Sequence, residues 1–148
     1  MIPDFDSNGL LPAGIHAASW KEFVERFVQS PHRLRLMAGL RAALDALNAA
    51  GCETAYVDGS FVTAKEVPGD YDGCWDIKNV DPTRLDPVLL TFDAGRVAQK
   101  AKYLGELFPA STTETATGRT FLEFQQIDKD TGDAKGIVAL DLRRLGDD

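Results

Sequence analysis

The stretch YVDGSFVTAKEVPGDYDGCWDI, Tyr56 to Ile77, decides how this chain is read, because nine residues separate Gly59-Ser60 from Asp70-Tyr71-Asp72 within it. Side chains alternate between the faces of a strand, so acids at 70 and 72 project from one face, near enough to share a divalent ion. Two carboxylates held side by side raise one another's pKa, and a cation is their natural partner. Magnesium suits such a pair: it takes oxygen ligands, keeps one or two protein carboxylates and fills its shell from water and substrate phosphates. Upstream, Thr54 to Asp58 is a short β-rich run ending at Gly59. A glycine there lets the backbone approach a ligand, and the N–H groups of a following helical turn, with the Ser60 hydroxyl, form a cradle for phosphate. Pro68-Gly69 turns the chain into a second strand. Lys65 either steadies a phosphate oxygen or is an ordinary loop lysine, and Tyr71 should point into the opposite layer as core.

Gly-Ser, a loop, then Asp-x-Asp resembles the signature of the nucleotidyltransferase superfold, which includes DNA polymerase beta, the aminoglycoside nucleotidyltransferases and the small antitoxins called minimal nucleotidyltransferases. More closely, Gly59-Ser60-Phe61-Val62-Thr63-x-Lys65-x-x-Pro68-Gly69-Asp70-Tyr71-Asp72, with the opening Ile2-Pro3-x-Phe5-x-x-x-Gly9-x-Leu11-Pro12-x-Gly14-Ile15-His16, is similar to a little-characterised bacterial and phage family of nucleotidyltransferase-like proteins, across nearly the whole chain. The resemblance implies in-line nucleotidyl transfer with Mg2+ (or Mn2+): Asp70 and Asp72 as metal ligands, Gly59, Ser60 and Lys65 on the nucleotide, and a third carboxylate from a strand beside Asp-x-Asp. Asp141, in Val138-Ala139-Leu140-Asp141-Leu142, is the third acid this reading prefers, as catalytic and metal-binding residue. An acid amid strand hydrophobics is costly unless paired or bound to metal. Glu123, in Phe121-Leu122-Glu123-Phe124, has a similar claim. The implied substrates are a nucleoside triphosphate and a protein or tRNA acceptor, often within a toxin–antitoxin or phage-defence pair that supplies a partner protein.

Two other readings compete. One is a noncatalytic nucleotide- or partner-binding module, favoured by three departures: Gly73-Cys74-Trp75 stands where an apolar β-branched run is usual, the sequence names no adenine-stacking residue, and Asp141 and Glu123 both claim the third carboxylate. The other makes Asp70 and Asp72 mere caps of the turn after Pro68-Gly69.

At 148 residues the chain is read as a single nucleotidyltransferase-like domain, 1–148, large enough to bury a core without staples. Two cysteines, Cys52 and Cys74, make no disulfide framework and lack metal-site spacing, so both are expected as reduced, partly buried thiols. No long apolar run and no leader pattern are present, which predicts a cytoplasmic protein away from membranes. A net charge of −7 argues against general nucleic-acid binding, which needs a basic surface.

Residues 1–18 carry Pro3, Gly9, Pro12 and Gly14 without helical period and predict an extended arm, with His16 at its end as a hydrogen-bonded structural residue. Ser19 and Glu22 form a capping box for a helix to about Val28. Ser30-Pro31 starts a second helix that Gly51 stops, with Leu34, Met37, Leu40, Leu44 and Leu47 as its packing stripe. Arg33, Arg35 and Arg41 lie off that stripe, as a solvated face or a contact for a nucleotide or acidic partner. Asp81-Pro82 and Asp86-Pro87 predict two short helical turns, and a longer helix is expected from about Asp93 to Leu107. Arg96, Lys100 and Lys102 on it either face the triphosphate or balance an acidic surface. Ser111 to Gly118 reads as a loop. Arg119–Ile127 and Lys135–Leu142 then read as a C-terminal β-hairpin, joined by a polar turn whose acids do not match a calcium loop. The expected fold is thus α/β (α+β): a small mixed sheet backed by helices.

Overall fold

A computed structural model describes residues 1–146. The extended N-terminal arm ends in strand β1 (Gly14–Ala18), where His16 Nε2 meets Pro12 O at 2.6 Å, a structural role. The Ser19 hydroxyl then accepts from Glu22 N at 3.0 Å and starts helix α1 (Trp20–Phe27). The Glu22 side chain serves the arm, accepting from Ile2 N at 2.8 Å. Ser30 caps helix α2 (Pro31–Ala49), with Pro31 in its first turn where no N–H is needed.

After α2 come strands β2 (Thr54–Asp58) and β3 (Tyr71–Trp75), helix α3 (Val97–Tyr103), strand β4 (Gly105–Pro109), the one-turn helix α4 (Phe121–Phe124) and strand β5 (Gly136–Asp141). The five strands form one mixed sheet in the order β1-β5-β2-β3-β4. β5 runs parallel to β1 and antiparallel to β2, β2 is antiparallel to β3, and β3 is parallel to β4. One sheet face carries Ala55, Val57, Tyr71 and Leu107, which join a core with Leu36, Leu40, Ala43, Leu44 and Leu47 of α2. The helix predicted over Pro31 to Ala49 therefore backs the sheet, and both cysteines are buried free thiols.

Several expectations need correcting. The C-terminal β-hairpin does not form. Thr120 and Glu123 make a reciprocal capping box, so Phe121–Phe124 is a helical turn, and β5 enters the middle of the sheet between β1 and β2. A single bridge, Ile127 with Ala134, is what pairs across that polar turn. The helix expected over 93–107 is shorter: Gly95 and Arg96 take positive φ before it, Leu104 ends it in the left-handed conformation, and residues 105–109 become β4. Asp86-Pro87 does open a 3-10 turn, Pro87–Leu90, whereas no helical turn is assigned at Asp81-Pro82. On α2, Leu34 is 52% exposed and Leu36 takes its place in the core.

The helix layer sets where β4 lies. Gly39 of α2 passes so close to the end of α3 that a Cβ there would meet Tyr103 O at 2.3 Å. Tyr103 O in turn accepts a hydrogen bond from Tyr71 Oη at 2.8 Å. Tyr71 is fully buried, as its place between the two acids requires, and it fastens β3 to the segment that leads into β4.

Candidate functional site

Register brings four acids onto one face. Asp58 pairs with Asp72 across the β2–β3 ladder, and Asp72 pairs with Glu106 across β3–β4. Residues directly opposite in a sheet project to the same face with Cβ atoms about 5 Å apart, so Asp72 stands between two acids. Asp70, two residues earlier, shares that face, roughly 7 Å along the strand. All four line one cleft of about 470 Å³ with Gly59, Ser60, Thr63, Lys65, Lys129 and Lys135.

The electrostatics differ among the four. Asp58 is buried with its Oδ1 3.0 Å from Lys135 Nζ, and burial still raises its pKa against the pull of that lysine and the Gly59 N–H. Glu106 is held by Lys100 at 3.1 Å and Arg96 at 3.5 Å. The Asp70 and Asp72 carboxylates accept no hydrogen bond and form no ion pair among the described residues. Burial, then Asp70, Asp58 and Glu106, push the Asp72 carboxyl up to about 7. Burial also raises Asp70. Asp70 and Asp72 are the two acids of this set without an ion-pair partner, and a divalent cation would supply one.

Gly59 ends β2 at φ 84°, and the 3-10 turn Ser60–Val62 follows it. A Cβ at position 59 would lie 2.8 Å from Asp72 Oδ2, so glycine is what lets this turn abut the acids. The turn is held from below by Arg33. Its guanidinium is buried and donates to the carbonyls of Phe27 (3.0 Å), Phe61 (2.6 Å), Thr63 (3.0 Å) and Lys65 (2.6 Å). Arg33 is therefore not part of a solvated face but a buried brace for the loop between Gly59 and Asp70.

Thr63 and Lys65 also line an adjoining cleft of about 540 Å³, walled by Phe5, Arg26, His32, Arg33 and Val67. Its arginines are committed, Arg33 to carbonyls and Arg26 to Ile2 O and the Phe5 ring. The unpaired acids lie in the smaller cleft.

A model described as "Family of unknown function (DUF6932)" matches residues 3–141. The chain belongs to that family. No curated protein and no solved structure matches it.

In this DUF6932 member, five of the residues singled out in the sequence meet in one cleft: Gly59, Ser60, Lys65, Asp70 and Asp72. Asp141 is not among them. It lies on β5 opposite Thr54, at the far end of β2 from Asp58 and so about 13 Å along the sheet. It caps the turn that follows, and Arg143 binds it at 3.0 Å and holds its pKa below the usual carboxylate range. Glu123 is exposed and spent on the α4 capping box, where Thr120 lowers its pKa. Glu106 and Asp58 stand where the third carboxylate was sought. Glu106 was hidden inside a predicted helix; Gly105 and Pro109, bracketing alternating residues, were the available strand signal. Lys100 and Arg96 back Glu106, whereas Lys102 pairs with Asp86 at 2.5 Å and lies outside the cleft's lining.

Among the described residues, no three His, Cys, Asp or Glu side chains are grouped to hold an ion by themselves, and no helix is long and apolar enough to cross a membrane.

Proposed function

We propose that this DUF6932 protein is a cytoplasmic, metal-dependent nucleotidyltransferase on a nucleotidyltransferase-like fold, moving a nucleoside monophosphate from a nucleoside triphosphate to a protein or tRNA acceptor, with a partner protein of the toxin–antitoxin or phage-defence kind. The observation that carries the reading is the unpaired Asp70-Asp72 couple, its second acid pushed up to about 7, beside the Gly59-Ser60 turn.

The donor set fits Mg2+ or Mn2+: two hard carboxylates with free oxygens and room for phosphates. Asp70 and Asp72 would hold the ion, which would neutralise charge on the triphosphate. The Gly59-Ser60 backbone and Lys65 would orient the phosphates, and Lys129 and Lys135 would add positive charge. In the transfer, an acceptor hydroxyl oxygen bonds to the α-phosphorus as the bond to the β-phosphate oxygen breaks, and pyrophosphate leaves with that electron pair. Glu106, opposite Asp72, is the group assigned to take the hydroxyl proton.

A second reading, a noncatalytic nucleotide- or partner-binding module, is favoured by one observation: Glu106 is already neutralised by two cations, which weakens it as a base. Calorimetric titration of each nucleoside triphosphate with and without Mg2+ into wild type and the Asp70→Asn/Asp72→Asn double variant tests the site. Metal-dependent binding that the double variant loses supports it, and transfer of a labelled nucleotide into a lysate acceptor separates enzyme from module. A folded wild type that binds no triphosphate overturns both nucleotide readings.

A further inference from the structure

One wall of the acid cleft is aromatic. Phe108, Phe121 and Phe124 line it together with the carboxylates. Phe108 lies two residues beyond Glu106 on β4 and so on the same sheet face. Phe108 is stacked against two other rings, Phe92 at 5.7 Å and 17° and Phe121 at 4.1 Å and 1°. Phe124 ends the row differently. It meets Phe121 edge-on, at 6.5 Å and 86°, and stays 36% exposed.

Beside it stands Gln125, only 5% exposed and also part of the cleft wall. Its Nε2 donates to Gly73 O at 2.9 Å, which fixes the amide and leaves Oε1 without a donor among the described residues. A buried acceptor with no partner is unusual and marks a place for a donor. A nucleobase offers both things this wall lacks, a flat face and an N–H edge.

We propose that the Phe121–Gln125 wall is the base-binding face of the cleft, with Phe124 stacking a purine ring and Gln125 Oε1 accepting from its N–H edge. The phosphates then run across Asp70 and Asp72 towards Gly59, Ser60 and Lys65. A purine is the better fit because its two fused rings cover more of a phenyl face than a pyrimidine does. This inference rests on the triphosphate reading above, and adds to it the face that distinguishes a nucleotide from bare polyphosphate.

The test is calorimetry in Mg2+ with ATP, GTP and inorganic tripolyphosphate on wild type, Phe124→Ala and Phe124→Trp, each checked for fold by circular dichroism. In the wild type, ATP or GTP is expected to bind about tenfold or more tighter than tripolyphosphate, the gain one stacked base supplies. Phe124→Ala should erase that difference without changing tripolyphosphate affinity, and Phe124→Trp should preserve it. If tripolyphosphate binds but ATP and GTP bind no tighter, or if Phe124→Ala leaves their advantage intact, the base face is wrong and the polyphosphate site stands. If none of the three binds to folded protein, both fall together.

Discussion

Gly59 and Asp72 touch across the β2–β3 ladder: a methyl group added to Gly59 would stand 2.8 Å from Asp72 Oδ2 and 3.0 Å from Asp72 N, on a backbone at φ 84°. Both the contact and the dihedral forbid a side chain. Gly59→Ala is expected to destabilise the fold by about 2 kcal/mol, from left-handed strain and the clash. It should also displace the Asp72 carboxylate and weaken metal-dependent triphosphate binding. Urea denaturation and calorimetry read the two effects, and unchanged values for both would remove Gly59 from the account.

Asp72 makes stability depend on pH. Its carboxyl titrates near 3.8 unfolded and at about 7 folded, raised by burial and three neighbouring acids. Between those values the folded chain keeps a proton that the unfolded chain has released, so stability falls as pH rises through the window and levels off above it. Asp72→Asn removes the loss. The variant's melting temperature should exceed wild type by roughly 10 °C at pH 8 and come close to it at pH 4. Mg2+ at pH 8 should raise the wild-type value and leave the variant's unmoved. A variant less stable than wild type at pH 8 would contradict this.

Arg33 is worth more to the fold than any exposed basic residue. Removing a buried guanidinium that serves four carbonyls leaves those groups unsatisfied, and Arg33→Met should cost about 3 kcal/mol. Lysine, with one ammonium in place of a planar fork, should restore little of it. Hydrogen exchange would show residues 61–66 losing protection first, and unchanged exchange there would show that the loop holds without its brace.

Asp141 and Glu106 separate the two candidate third carboxylates. Asp141→Asn is expected to leave triphosphate binding unchanged, because its partner is Arg143 and it lies at the opposite end of the strand. Glu106→Gln should leave binding measurable and reduce nucleotide transfer by about a hundredfold, the ordinary contribution of a general base. Radiolabel transfer in the two variants decides between them, and the reverse pattern would restore Asp141.

Legibility followed range. Ser19, Ser30 and Pro31 marked helix starts correctly because caps and first-turn prolines act within a few residues. Asp70 and Asp72 could be placed on one face because strand alternation is equally local. The sequence did not place Glu106 beside Asp72, because residues 93–107 carry a helical pattern that Leu104 interrupts in the left-handed conformation, an event no apolar period announces. The hairpin failed for a related reason. Phe121–Phe124 has the aromatic content of a strand, but the Thr120–Glu123 box and the stack of Phe121 on Phe108 favour a turn of helix.

The amino-acid order determined the pair Asp70-Asp72, the Gly59-Ser60 turn, the core of α2 and the absence of a disulfide framework, all of which follow from short-range stereochemistry and composition. Tertiary structure decided which acids join that pair. Strand order sets Asp58 and Glu106 on either side of Asp72 and carries Asp141 to the other end of the sheet. It also turned Arg33 from a surface charge into an internal brace. Register and burial arise from contacts between residues far apart in the chain, and those are settled only when the sheet and the helix that backs it close on one core.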